Sequence, residues 1–255
     1  MPILANIYYA QFKGSSLYRP PLILIHGAGS HHLVWPAEIR RLRATTVFAI
    51  DLPGHGKSSG CAYHHVRQYQ SSLINLIAAL GVNRAVLVGH SLGAAIALQF
   101  AHDHPQHVDG LVCLSAAASF QLDPTFVEQF RLPQARKATL ELLKAYFEPK
   151  HGNRTWYPRF VKSLAEIRNS LWYADLRATA TFDLHNNLPH IKTPTLILAG
   201  TADPLVSYSS ASSLAQQLPN ATLNRYNHHG HLLMLEDPKR LAHDIHTFYN
   251  SLLTE

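Results

Sequence analysis

Five short, continuous apolar runs constrain this chain more than any other feature. They are "PLILIHG" (21–27), "TTVFAIDLPG" (45–54), "AVLVGHS" (85–91), "GLVCLSA" (110–116) and "TPTLILAG" (193–200). They are rich in leucine and β-branched residues, and several end in Gly or Asp. That is the pattern of strands buried on both faces of a parallel sheet. Segments with helical spacing alternate with them: "VWPAEIRRL", "VRQYQSSLINLIAALG", "LGAAIALQFAHDHP", "SYSSASSLAQQLP" and "PKRLAHDIHTFYNSLL". Strand alternating with helix predicts an α/β fold, a mostly parallel central sheet with helices on both faces.

Two further segments extend the sheet. "NIYYAQF" (6–12) alternates as an antiparallel edge strand does, and "ATLNRYN" (221–227) reads as the last strand. The alternation fails between about Ser119 and Pro189. There "PQARKATLELLKAYF" and "PRFVKSLAEIRNSLWYADLRATATF" are helical in pattern, punctuated by Pro124, Pro133, Pro149 and Pro158. The expected organisation is a core of residues 1–118 and 190–255 with a helical cap insert, 119–189, over one end of the sheet.

Bulk properties close off other classes. A chain of 255 residues buries roughly three quarters of its unfolded surface. With 47% hydrophobic and 15% charged residues it is globular rather than disordered. The net charge of +6 favours acidic partners, but the basic residues are scattered. Their one tight group is Arg40, Arg41 and Arg43, and no aromatic stripe accompanies it, so nucleic acid is not an expected partner. Cys61 and Cys113 make no disulfide framework, and Cys113 sits in an apolar run as a small buried hydrophobe. No run reaches membrane-spanning length, and "MPILANIYYAQFKG" has no signal-peptide pattern, so the expected location is cytoplasmic.

The segment "VLVGHSLGAAIAL" places a serine between two glycines where an apolar strand meets a small-residue helix. Serine and glycine both weaken regular structure, so the arrangement has a local cost. Gly89-His90-Ser91-Leu92-Gly93 matches the G-x-S-x-G nucleophile elbow, a sharp turn that needs tiny residues two before and two after the serine. Such a turn lifts the hydroxyl above the sheet edge, and the following amide at the helix N-terminus points into the same space. A serine hydroxyl needs a base, and that base needs an orienting group. Asp203, in "LILAGTADPLVS", lies just beyond a buried strand. "NHHGHLLMLEDP" offers His228, His229 and His231, among which periodicity does not choose.

These pieces resemble the α/β-hydrolase superfamily, in the group of esterases, enol-lactonases and meta-cleavage product hydrolases. The resemblance rests on His26-Gly27 after "LILI", on "DLPGHGKS" (51–58), on the elbow, on "GTADPLV", and on Gly230-His231 followed by Glu236 and Pro238. It covers about residues 21 to 250 except the insert. It implies Ser91 as nucleophile, Asp203 as orienting acid, and His231 as base, the histidine that fits G-H-x-x-x-x-E-x-P. It also implies the amides of Leu92 and Ala28 as oxyanion donors, with Gly29 as an alternative to Ala28. His26 is expected to hold its loop rather than act as a base. A serine at the elbow, where epoxide hydrolases and haloalkane dehalogenases carry aspartate, points to acyl chemistry.

The implied reaction is hydrolysis of a small carboxylic ester, lactone or thioester through an acyl-enzyme. Three other readings follow from the same resemblance. Carbon–carbon bond hydrolysis of the meta-cleavage type is weakened by Ser30, where the H-G-x-G-P-G loop has proline. De-esterification of an acyl chain on an acidic carrier protein would need basic residues on the cap. A receptor or scaffold would need no turnover. No cofactor or metal is expected; His102, His104 and His107 do not share a helical face, and "DLPGHGKSSG" lacks phosphate-loop spacing. The expected oligomer is a monomer or homodimer. Gly29 and Trp35 are candidate substrate-binding residues, with packing an equal reading for Trp35. In the insert, Phe120, Phe126, Phe130, Phe147, Trp156, Tyr157, Phe160, Trp172 and Tyr173 are candidates for a pocket wall or for packing. Arg131, Arg159 and Arg168 are candidates to meet a substrate carboxylate.

Overall fold

The computed structural model describes residues 3–14, 19–42, 45–149 and 154–253. Arg43, of the Arg40 group, lies outside them. The strands are β1 (Ile3–Leu4), β2 (Ile7–Phe12), β3 (Leu22–Ile25), β4 (Val47–Asp51), β5 (Ala85–His90), β6 (Val108–Leu114), β7 (Thr195–Gly200) and β8 (Ala221–Tyr226). They form one sheet in the order β1-β2-β4-β3-β5-β6-β7-β8. The pairings β1–β2 and β2–β4 are antiparallel and the others parallel. The chain therefore starts at one edge, enters the parallel part at β3, and reverses direction of travel across the sheet at β5.

The helices are α1 (Ala37–Arg40), α2 (Val66–Ala79), α3 (Leu92–Asp103), α4 (Pro124–Gln129), α5 (Arg136–Phe147), α6 (Tyr157–Glu166), α7 (Asn169–Ala180), α8 (Tyr208–Gln217), α9 (Leu233–Glu236) and α10 (Pro238–Ser251). Alternate residues of a strand enter opposite layers. Ile23, Ile25 and Leu87 pack with Tyr69 and Leu73 of α2, with α3, and with Leu214 of α8. Leu22, Leu24, Val86 and Val88 pack on the other face with Ile39, Leu241, Ile245 and Tyr249. Burial on both faces is why these strands read as unbroken apolar runs.

Four helices, α4 to α7, stand between β6 and β7. They have a small core of their own, built from Val127, Phe130, Leu143, Leu164, Trp172 and Leu176. A β-bridge between Ser119 and Asp183, with the Leu184 amide donating to the Ala118 carbonyl (3.0 Å), joins the two ends of this segment. Residues 158–182, continuous in helical pattern, are divided into α6 and α7 at Ile167 and Arg168, both of which are extended. Arg136 secures the break by donating to the carbonyls of Ala165 (2.7 Å) and Ile167 (2.9 Å). Helix-end carbonyls need such partners. Among the described residues no helix is long and apolar enough to cross a membrane.

Candidate active site

Ser91 stands between β5 and α3 with φ 51° and ψ −114°. A non-glycine residue there is strained, at a cost of order 1–3 kcal/mol. The turn is tight enough that a Cβ on Gly89 would overlap the Gly93 carbonyl, and a Cβ on Gly93 would overlap the Ile25 carbonyl. Both glycines of the motif are thus required by backbone approach. The Ser91 carbonyl accepts from the amides of Ala94 (2.9 Å) and Ala95 (3.1 Å), and its own amide donates to Leu114 (2.9 Å).

Asp203 follows β7, and its carboxylate is buried. Its Oδ1 accepts from the amides of Leu205 (2.8 Å) and Val206 (3.0 Å), and its Oδ2 accepts from His231 Nδ1 (2.8 Å). Burial by itself would raise this carboxyl; the His231 charge and the hydrogen bonds outweigh it and hold it below the usual range. With Nδ1 donating, His231 Nε2 is left as the acceptor. His231 is itself held on three sides. Its carbonyl accepts from His90 Nε2 (2.9 Å) and Ser115 Oγ (3.0 Å). Glu236 brackets it, accepting from the amides of Gly230 (2.7 Å) and Leu232 (3.1 Å). That bracket is the physical content of the glutamate in the G-H-x-x-x-x-E pattern.

Ser91 and His231 line one cavity, yet no hydrogen bond among the described residues joins Ser91 Oγ to the imidazole. Such contacts are commonly loose before substrate binds. Ala28 and Gly29 line the same cavity. The Gly29 amide donates to Asp175 Oδ2 (2.8 Å), so it is occupied. Among the described residues no hydrogen bond consumes the amide of Ala28 or of Leu92, the latter at the first position of α3.

Two buried histidines are neutral here. His26 Nδ1 donates to the Gly27 carbonyl (2.8 Å) while Nε2 accepts from the Leu52 amide (3.0 Å), tying the loop after β3 to the end of β4. Burial pushes His26 down to about 3, aided by repulsion from His55. Burial likewise pushes His90 down to about 3. Burial pushes the Cys113 thiol up to about 12, which leaves it inert.

The cavity, together with the open space at its mouth, encloses about 760 Å3. Its wall is mostly apolar: Val34, Phe120, Leu122, Phe126, Leu143, Tyr146, Phe147, Phe160, Leu164, Trp172, Leu176, Leu205, Val206 and Leu232. Of the candidate aromatics, Phe120, Phe126, Phe147, Phe160 and Trp172 reach it; Phe130 packs within the α4–α7 core instead. Tyr146 reaches it without having been singled out by sequence. Arg131, Arg159 and Arg168 are not in the wall, and Arg131 is turned outward beside Glu128.

Trp35 corrects a sequence expectation. It is fully buried among Leu22, Leu24, Ile39 and Val47, beneath the sheet and away from the cavity wall. The sequence also leaves unmarked a buried polar group at Asp175. Its Oδ2 accepts from His55 Nε2 (2.7 Å) as well as Gly29, and its Oδ1 from the Tyr69 hydroxyl (2.5 Å). One signal was readable: an acid on the helix face that also carries Trp172 and Leu176.

The aspartate that opens "DLPGHGKS" is structural. Ligand atoms of His31, His32 and Asp51 lie within 4.8 Å of one another. Asp51 Oδ1 is already taken by the His32 amide (2.6 Å) and Nδ1 (2.8 Å), and Oδ2 by the Lys57 amide (2.8 Å). His102 instead meets Asp103 (2.7 Å) and Asn187 (2.9 Å).

Fold and site define a class, and comparison with known proteins agrees. The profile of the alpha/beta hydrolase fold matches residues 20–238, and the chain belongs to that family. It is 26% identical to a pimeloyl-[acyl-carrier protein] methyl ester esterase of Vibrio vulnificus, over 90% of this chain and 94% of that protein. It is 24% identical to a monoacylglycerol lipase of Homo sapiens, over 94% of this chain and 78% of that one. An uncharacterized protein of Mycobacterium tuberculosis is 40% identical over 99 residues, and the chain spans 29% of its length. Among solved structures, an esterase from Exiguobacterium antarcticum superposes with a TM-score of 0.85 at 20% identity, covering 96% of this chain and 95% of the other. The enol-lactonase from Burkholderia xenovorans superposes at 0.83 and 20% identity, covering 98% and 96%.

Proposed function

We propose that this chain is a serine hydrolase that cleaves a small carboxylic ester, lactone or thioester through an acyl-enzyme on Ser91. One observation carries the reading: a strained elbow serine faces the same cavity as a histidine whose Nδ1 is held 2.8 Å from a buried carboxylate. Ser91 Oγ attacks the acyl carbon as His231 Nε2 takes its proton. Asp203 fixes the tautomer and stabilises the imidazolium that forms. His231 then returns the proton to the leaving alcohol, thiol or ring oxygen, and water repeats the sequence to release the acid. The tetrahedral oxyanion is met by the amides of Leu92 and Ala28, each such donor contributing about 3–4 kcal/mol in the transition state. The four helices α4 to α7 act as the cap.

Substrate class follows from the wall. No lysine or arginine is among the described residues that line the cavity. A buried carboxylate there would lack a counter-charge, at a cost of several kcal/mol. The acyl group is therefore neutral and apolar. The test is a series of p-nitrophenyl esters from acetate to decanoate, with Ser91→Ala as control. kcat/KM should rise with chain length until the cavity is filled, and Ser91→Ala should abolish turnover. Turnover by Ser91→Ala at the wild-type rate, or preference for esters of dicarboxylic acids, would refute the reading.

A further inference from the structure

We propose that Asp175 is a positioning residue for this hydrolysis: from α7 it holds the loop that carries the Ala28 amide, through Gly29. The inference rests on the serine-hydrolase reading above. Ala28 lies between two peptide groups, and both are pinned. The Gly27 carbonyl, in the same peptide plane as the Ala28 amide, accepts from His26 Nδ1 (2.8 Å). The Gly29 amide, in the next plane, donates to Asp175 Oδ2 (2.8 Å). Peptide planes are rigid, so the first bond orients the plane that carries the Ala28 N–H, and the second holds the next plane and limits how far the first can turn about the Ala28 dihedrals.

The anchor is 146 residues away in sequence and sits on another layer. It is not a passing contact. Asp175 is fully buried, and its two oxygens receive Gly29, His55 Nε2 and the Tyr69 hydroxyl. His55 is also buried, and its Nδ1 donates to the Pro53 carbonyl (3.0 Å). Both ring nitrogens therefore donate, which makes His55 an imidazolium facing a carboxylate. Tyr69 accepts in turn from the Tyr63 amide (2.8 Å). The group joins β4's trailing loop, α2, α7 and the loop after β3. One turn before Asp175 on α7, Trp172 lines the cavity and packs where a Gly29 Cβ would be. Gly29, at φ +58°, is thus held by α7 from its amide and from its α-carbon. The wall that receives the acyl group and the donor that receives the oxyanion move as one piece.

The variants are Asp175→Asn, which keeps size and places an amide before three donors, and Tyr69→Phe, which removes one hydroxyl. Each is measured against wild type for kcat and KM on p-nitrophenyl acetate and octanoate, and for hydrogen–deuterium exchange of the 26–31 peptide. For Asp175→Asn, kcat should fall about 10–100-fold on both esters, as displacement of a catalytic donor by an ångström does. KM should change less than about threefold, as for an interaction made only in the transition state. Exchange in 26–31 should quicken at least about tenfold while peptides of β5 and α3 keep their protection. Tyr69→Phe, the variant expected to fold in any case, should move both readouts the same way and less. Unchanged exchange in 26–31, or faster exchange with unchanged acetate kcat, overturns the proposal. A loss confined to octanoate KM overturns it too, because that is what mere docking of the cap would give. Wild-type protein that hydrolyses no ester defeats the hydrolase reading instead, and the exchange measurement still reports whether Asp175 anchors the loop.

Discussion

Acidification should unfold this protein earlier than its fold alone would suggest, because His26 and His90 are fully buried and neutral. Burial lowers each from 6.5 to about 3. Between those values the unfolded chain binds a proton at each position and the folded chain does not. Stability contributed by the neutral folded form is complete above pH 6.5 and is lost as pH falls towards 3. Each group contributes on the order of 1 kcal/mol per pH unit across this window, so the pair gives a slope of about 2–3 kcal/mol per unit. From pH 7 to pH 5 the loss is about 4 kcal/mol, against a total stability of about 5–15 kcal/mol for a typical domain. His55 runs the other way: Asp175 raises its value against the cost of burial, so its contribution is complete below pH 6.5 and is lost as pH rises through the raised value, which offsets a minor part of the loss between pH 7 and 6.5. His31, lowered by burial, acts in the same direction as the pair. The assay is urea unfolding at pH 7, 6 and 5, followed by tryptophan fluorescence. His90→Gln retains a donor for the His231 carbonyl and should reduce the slope by about half. A stability that changes by less than about 1 kcal/mol from pH 7 to pH 5 would refute the assignment of these two rings as neutral and buried.

Asp203→Asn should lower kcat by about 10³–10⁴-fold with KM little changed, since the wrong tautomer of His231 is then favoured; steady-state kinetics on a short ester checks it. Leu143→Trp, filling the cavity from α5, should raise KM for octanoate about tenfold while sparing acetate, as loss of room for one or two methylenes does. Trp35→Ala should destabilise by about 3–5 kcal/mol in urea while the folded fraction keeps its kcat, because Trp35 is core and not cavity wall.

The strands were readable because burial on both faces leaves no polar residue to interrupt them. Ser91 was readable because its constraint is local: two glycines within two residues on either side carry the whole turn. Asp203 was readable from its place after a buried strand, whereas His231 needed the resemblance, since His228 and His229 satisfy the same local pattern. The role of Glu236 emerges only in three dimensions, where its two oxygens accept from the amides on either side of His231. Trp35 misled because an aromatic soon after the loop at Ala28 can turn either to the cavity or beneath the sheet, and sequence spacing does not say which. Asp175 stayed hidden for a different reason. Its partners Gly29, His55 and Tyr69 come from three separate segments, and only the docking of α7 brings them to one carboxylate. The division at Ile167 was hidden likewise, since the arginine that secures it is supplied by α5.

The central claim is that Ser91 Oγ is a nucleophile activated by His231. Incubation with an alkyl fluorophosphonate, followed by peptide mass spectrometry, tests it directly. The account predicts one covalent phosphonyl adduct on the peptide containing Ser91, none in Ser91→Ala, and labelling at least about a hundredfold slower in His231→Ala. An unlabelled Ser91 in folded wild-type protein, or equal labelling rates with and without His231, would contradict it.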